Sequence, residues 1–241
     1  MDDFGARSDN RRHELGHFLK ARRARLKPAD LGLKPSPRRR AVGLLREEVA
    51  SAAGMSATWY TWMEQGRPTN PSLHLLERLA RVLKLDPVER AHLFQLARPD
   101  AQTGQRPPAA RQLDPSLALL LRGLHPHPAY AFDVLWNVIA WNEAAAALLG
   151  AFDMSDPLRG NVLIRLFCDP AWRRLFTDWE AIAQSAVAQY RAQTAALHRD
   201  PRRHAILSSL QQANPRFAAL WRAQDVAASP AWRKVLDHPE R

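Results

Sequence analysis

Residues 44–66, LLREEVASAAGMSATWYTWMEQG, constrain the fold more than any other stretch, because they fit two short helices hinged at a single glycine. Leu45, Val49 and Ala52 give the first helix an apolar face. Gly54 follows where the chain must turn with positive φ, a conformation that glycine adopts without steric cost. Ser56 then stands where a side-chain oxygen caps the amides that open the next helix. In that second helix Tyr60 and Met63 fall three residues apart and face inward, which turns Ala57, Thr58, Trp59, Thr61 and Trp62 outward. Such a helix fits the major groove of DNA, and Thr58 and Thr61 can donate, accept and offer a methyl group to thymine. For Trp59 and Trp62 two readings stand, base contact or packing against the arginine-rich loop that precedes the motif.

The charge distribution points the same way. Of the formal net charge of +11, residues 1–112 contribute 21 Lys and Arg against 12 Asp and Glu, whereas residues 113–241 carry 14 against 12. A basic excess on one half implies a polyanionic partner for that half. No run of about 18 apolar residues is present to span a membrane, and the opening MDDFGARSDNRRHELGH lacks the apolar core of a signal peptide, so a cytoplasmic protein without membrane partners is expected. Cys168 is the only cysteine, which excludes an intrachain disulfide and a cysteine zinc cluster. His125 and His127 alternate with prolines and have no acidic residue or third histidine nearby, so no metal site is expected. There is no glycine-rich phosphate loop or GxSxG, and Asp178 and Glu180 point to different helix faces. The expectation is a protein that is not an enzyme and needs no cofactor.

Along the chain, Asp9 or Asn10 is placed to cap a helix from Arg11 to Leu26, with Leu15, Phe18, Leu19 and Arg22 along one side. Its far end carries Arg22, Arg23, Arg25 and Lys27, positioned for phosphate contacts. Prolines at 28, 35 and 37 break the next stretch, which ends in Arg38, Arg39 and Arg40. Those three form either a solvated loop or a basic arm lying on phosphates or in the minor groove. Arg46, heading the first helix of the motif, is placed for a phosphate, and Arg67, Thr69 and Asn70 occupy the loop where phosphate contact is one of two readings. Ser72 caps a helix with Leu73, Leu75, Leu76, Leu79, Val82 and Leu83, and Pro87 opens another to Ala97. Five helices can close one small core.

Residues 98–112, RPDAQTGQRPPAARQ, have no apolar period and read as a linker. Beyond it Asp114 caps a helix to about Leu124. Residues 129–141, AYAFDVLWNVIAW, suit a β-hairpin turning near Leu135 to Asn137, or a single strand. Asn142 caps a further helix. Asp169 with Pro170 opens a short one, Asp178 to Leu197 reads as a long one, and Pro201–Ala213 and Pro215–Trp221 follow. For an apolar effector the candidate residues are Phe132, Leu135, Trp136, Val138, Ile139, Trp141, Leu163, Phe167, Trp172 and Phe176, which either line a cavity or fill the core.

The register of Glu47, Val49, Ala50, Gly54, Met55, Ser56, Tyr60, Glu64 and Gly66 resembles the helix-turn-helix of phage repressors and the XRE family, and is more specific than an ordinary αα-hairpin requires. The phrases GLLREEVA and WYTWMEQGR, followed by PAYAFDVLWNVIAWNEAAAALLG, NVLIRLFCDPAWRRLFTDWE and NPRFAALWRAQDV, are similar to the MmyB-type transcriptional regulators, in which a PAS-like sensor domain follows such a motif. The resemblance implies a mainly α protein with a five-helix, lambda-repressor-like DNA-binding domain at 9–97, a linker at 98–112 and an α+β PAS-like domain at 113–241. It implies a bacterial regulator that binds double-stranded operator DNA as a homodimer, with Arg38, Arg39, Arg40, Arg46, Ser56, Ala57, Thr58, Trp59, Thr61, Trp62 and Arg67 at the DNA. Its second domain would hold a small apolar, fatty-acid-like effector or support dimerisation. Family members usually carry another arginine where Leu45 stands and continue with strands that complete the sheet, whereas this sequence ends SPAWRKVLDHPER, so a shortened sensor domain is expected. The alternative is an effector-binding or protein-interaction module without sequence-specific DNA binding.

Overall fold

The structure, a computed structural model, describes residues 3–33, 43–98, 115–156, 160–198, 200–227 and 235–237, with side chains from residue 10 onward. The chain divides into two compact units, Met1–Gly104 with Ala195–Arg199, and Gln105–Thr194 with Asp200–Arg241.

Among the described residues the first unit contains five α-helices: α1 (Asp3–Arg25), α2 (Arg46–Ala53), α3 (Ala57–Glu64), α4 (Leu73–Val82) and α5 (Pro87–Ala97). Helix α1 begins well before the cap expected at Asp9 or Asn10, because no proline interrupts residues 3–10 and the turns simply continue. Leu15, Phe18, Leu19 and Arg22 form its buried side, as their spacing requires. Its basic end is turned partly inward. Arg22 Nε lies 3.1 Å from Glu89 and Arg23 pairs with Glu64, so these two arginines hold the unit together instead of facing phosphate. On α2 the buried face is Val49, Ala50 and Ala53, with Leu44 packed ahead of the helix, while Ala52 is exposed. The face is rotated from the expected one because α2 packs against both α3 and α4. Helix α4 buries Leu75, Leu76, Leu79 and Ala80, and its first residue, Leu73, stays exposed. In α5 the Asp86 carboxylate accepts from Val88 N and Glu89 N at 2.8 Å, and the Glu89 side chain returns a bond from Asp86 N.

One glycine fixes how closely α1 and α3 cross. A Cβ on Gly16 would lie 2.5 Å from the carbonyl oxygen of Glu64, so only glycine admits the last turn of α3 at this point.

The second unit contains α6 (Pro115–Gly123), β1 (Tyr130–Phe132), β2 (Val138–Trp141), α7 (Glu143–Leu149), α8 (Val162–Cys168), α9 (Pro170–Leu175), α10 (Trp179–Thr194), α11 (Pro201–Ala213) and α12 (Pro215–Arg222). The hairpin reading holds: β1 and β2 pair antiparallel, Tyr130 opposite Trp141 and Ala131 opposite Ala140, with a bulge before Phe132. Asp133 builds the turn, its Oδ1 accepting from Leu135 N and Asn137 N at 2.9 Å, and Trp136 sits within it at φ 65°. Asn161 joins this turn to α8. Its Nδ2 donates to Leu135 O and Asn137 Oδ1, while its Oδ1 accepts from Leu163 N and Ile164 N. Residues 235–237 return alongside Phe176, where Leu236 forms an isolated antiparallel bridge. Among the described residues the sheet has two strands, and helices α8, α10, α11 and α12 supply most of the apolar core.

Candidate nucleic-acid interface and effector domain

Helix α3 is built to present one side. Leu45 to Gly54 bring α2 to its end, and Gly54, at φ 66° and ψ 47°, closes that helix with its amide bonded to Ala50 O and Ser51 O. Ser56 Oγ accepts from Trp59 N at 3.1 Å, the cap that its position called for. Tyr60, Met63 and Glu64 then face the core. Opposite them Ala57, Thr58 and Trp62 are exposed, with Trp62 at 39% and Trp59 and Thr61 half-buried.

The inward side carries a charge that sequence reading treated only as a family register position. The Glu64 carboxylate, fully buried, takes Arg23 Nε at 2.7 Å on Oε1 and Arg23 Nη2 at 3.2 Å on Oε2, and Arg46 Nε at 2.7 Å also reaches Oε2. Arg23 Nη1 adds a bond to Leu44 O at 2.6 Å. One carboxylate thus ties the end of α3 to α1 and to the start of α2. Burial, followed by the nearby Glu64 charge, pushes the Tyr60 hydroxyl above its ordinary range, so it stays neutral beside the pair. Arg46 is half-exposed at 44% while its Nε is held by Glu64, which keeps its guanidinium at the surface in a fixed direction. Arg67 is exposed after α3, and Arg38, Arg39 and Arg40 lie outside the described residues.

In the second unit the expected effector residues are brought together, mostly as core. Leu135, Trp136, Val138, Leu163, Phe167, Trp172 and Phe176 are buried, Ile139 and Trp141 are half-buried, and Phe132 is exposed at 42%. Their polar handles are used internally. Trp136 Nε1 donates to Gln193 Oε1 at 2.7 Å and Trp172 Nε1 donates to Leu149 O at 2.8 Å. Rings of Phe167 and Trp179, and of Trp172 and Phe176, meet edge to face. A cleft of about 420 Å³ opens at one side of this core, walled by Leu148, Leu149, Trp172 and Leu175. Of the ten expected residues only Trp172 reaches it. Its charged lining is Arg165, Arg174 and Asp237, none of which the sequence reading had picked out. Arg165 is buried, donates to Leu149 O at 2.8 Å and Asp169 Oδ2 at 3.3 Å, and lies 4.5 Å over the Trp172 ring. Basic residues at the end of short helices flanking an apolar run were the available signal.

Comparison with known families supports the regulator reading at the level of its two domains. Residues 113–241 match the model of the MmyB-like transcription regulator ligand binding domain. The chain belongs to the MmyB-like transcription regulators. Residues 14–93 of this MmyB-like chain match a helix-turn-helix domain, so it is a DNA-binding regulator carrying a ligand-binding domain. Both families are regulatory and not enzymatic. No curated protein matches this MmyB-like chain. No helix among its described residues is long and apolar enough to cross a membrane.

Proposed function

We propose that this regulator binds operator DNA sequence-specifically by laying the outward side of α3 in the major groove, and that a small apolar, fatty-acid-like effector taken up by the second domain adjusts that binding. The observation that carries the reading is the division of α3 itself: Thr58 and Trp62 stand exposed while Tyr60, Met63 and the Glu64 ion pairs fix the other side. Ser56, Ala57, Trp59 and Thr61 complete the contact surface. Arg46 and Arg67, together with the basic arm Arg38 to Arg40, neutralise phosphates, about five per protomer, and affinity falls with salt at about −0.9 per contact in a log–log plot.

Two features support the remaining parts. The cleft beside Trp172 combines apolar walls with a mixed charged edge of Arg174, Asp237 and the Asp169-paired Arg165, which suits a mostly apolar molecule with one polar end. A single recognition helix reads only a half-site, so a second copy is required for a full operator. Helix α6 offers a surface for it, since two of its large apolar residues are uncovered, Leu119 72% and Leu120 62% exposed.

Fluorescence anisotropy on the DNA upstream of the gene, at two salt concentrations and with unrelated competitor DNA, tests the reading. Tight, competitor-resistant binding that a Thr58→Ala, Thr61→Ala variant loses is expected. Weak binding shared by the variant sinks sequence-specific readout by α3. For the effector, native mass spectrometry of the purified chain is the check, with bound apolar mass or a thermal shift from fatty acids expected and neither being the adverse result.

A further inference from the structure

The outward side of α3 has a chemistry that specifies which bases it can read. Thr58, Trp62 and Gln65 follow one another at i, i+4 and i+7 along the side opposite the buried Tyr60, Met63 and Glu64, flanked by Ala57 and Thr61. The helix sequence ATWYTWME contains no lysine, arginine or asparagine. Each base edge in the major groove demands a particular partner: a cationic fork for guanine, a carboxamide for adenine, a carboxylate for cytosine, and apolar contact for the thymine methyl. Glu64 supplies the helix's one carboxylate, and it is buried against Arg23 and Arg46. Gln65 supplies the nearest carboxamide, at the C-terminal end of the helix, whereas base contacts concentrate near the N-terminal end. What remains toward the start and middle is a threonine methyl, an alanine methyl and an indole.

Trp62 is the centre of that surface. The residue is 39% exposed and its ring belongs to no aromatic pair among the described residues, in a chain whose other described tryptophans are half-buried or buried. A large apolar ring at the middle of an outward stripe is poorly placed for solvent and well placed for an apolar partner.

We propose that α3 recognises its operator mainly through thymine 5-methyl groups, with Trp62 as the central apolar anchor and the Thr58 γ-methyl and Ala57 Cβ beside it. The operator half-site is accordingly dominated by A·T pairs with thymines on the contacted strand. Phosphate contacts from outside the helix provide the charge-dependent part of affinity, and the methyl contacts provide the discrimination. This inference rests on the reading that α3 enters the major groove.

The test uses the full chain and a pool of random-sequence duplexes. Sites enriched by selection are resynthesised with deoxyuridine replacing thymidine in the half-sites, which preserves pairing and removes only the methyl, and with deoxyuridine in the flanks as control. Each contacted methyl removed is expected to weaken binding about fourfold, the burial free energy of one methyl group, so a fully substituted half-site loses tenfold or more. Trp62→Ala and Thr58→Ser, both at exposed positions and checked for unchanged melting, are expected to bind more weakly and to lose the preference for thymidine over deoxyuridine, with an unchanged salt slope. Enriched sites that bind equally well with deoxyuridine, or whose discrimination survives both substitutions, overturn the inference and leave the regulator reading intact. A pool in which no sequence is enriched overturns sequence-specific binding itself, and this inference with it.

Discussion

The two domains each bury a polar side chain that ties separate pieces of chain together, and they use opposite chemistry to do it. In the DNA-binding unit the tie is an anion, Glu64, gathering two guanidiniums from α1 and α2. In the effector unit it is a neutral amide, Asn161, which offers its two donors and one acceptor to the β-hairpin turn and to the first amides of α8. A charge in a dry site depends on its partners completely, whereas an amide exchanges one set of dipoles for another at modest cost. The element proposed to face DNA is therefore held by the stiffer device.

The sharpest way to break this comparison is Glu64→Ala. It strands Arg23 against a core that has lost its anion, and the expected cost is about 3–5 kcal/mol, enough to unfold a small domain selectively. Calorimetry should show the transition of the first unit lowered or lost, with specific DNA binding abolished and the second unit's transition kept. An unshifted first transition would mean that the ion pairs are not what holds α3. Asn161→Ala is the counterpart in the second unit. It leaves two α8 amides and the Leu135 carbonyl without their partner, for an expected loss of about 1–3 kcal/mol that is confined to the second transition. A loss equal to that of Glu64→Ala would remove the distinction between anion and amide.

Alkaline titration sharpens the same contrast through two tyrosines. Burial raises the hydroxyl of Tyr60 in the first unit and of Tyr190 in the second above the ordinary range, with the Glu64 carboxylate adding to the shift at Tyr60 and Arg203 opposing it at Tyr190. Below about pH 10 each hydroxyl is protonated in both the folded and the unfolded chain, so neither contributes any pH dependence. Above that the unfolded chain releases a proton that the folded chain retains. Stability then falls by about 1.4 kcal/mol per pH unit for each tyrosine. Urea melts between pH 9 and 11 should show a smaller decline of the first unit in Tyr60→Phe and of the second in Tyr190→Phe; identical slopes in variant and parent would contradict the shifts.

How much of this was legible in the sequence follows from how local each signal is. Gly54, Ser56, Tyr60 and Met63 act within one or two turns of themselves, and their roles were readable from spacing alone. The β-hairpin was readable as well, because aromatic and β-branched residues flank its Asp133–Asn137 turn. The Glu64 tie was not, because Arg23 lies 41 residues away and a basic helix end looks the same whether it faces solvent or a buried acid. Asn161 was missed because its two jobs, capping α8 and holding Leu135 O, belong to segments 26 residues apart. The candidate effector residues were selected for being large and apolar, a property shared by core positions and cavity walls. The cleft was marked instead by Arg165 and Arg174 among apolar neighbours.

The smallest effect is expected at the cap of α3. Ser56→Ala removes the oxygen that accepts from Trp59 N, and an exposed cap of this kind is worth about 1 kcal/mol. Asn142, which caps α7, is the fair comparison, since it is buried and its side chain serves Ala129 N, Ala145 N, Leu121 O and His127 O at once. Asn142→Ala should therefore cost its own domain more than Ser56→Ala costs the other, as measured by urea midpoints at constant slope. If the two costs prove equal, water does not replace the lost cap at Ser56 as its exposure implies. If Ser56→Ala instead weakens DNA binding far more than it lowers the midpoint, the hydroxyl at the head of α3 serves the groove as well as the helix, because stability and contact would then have separated at a single exposed oxygen.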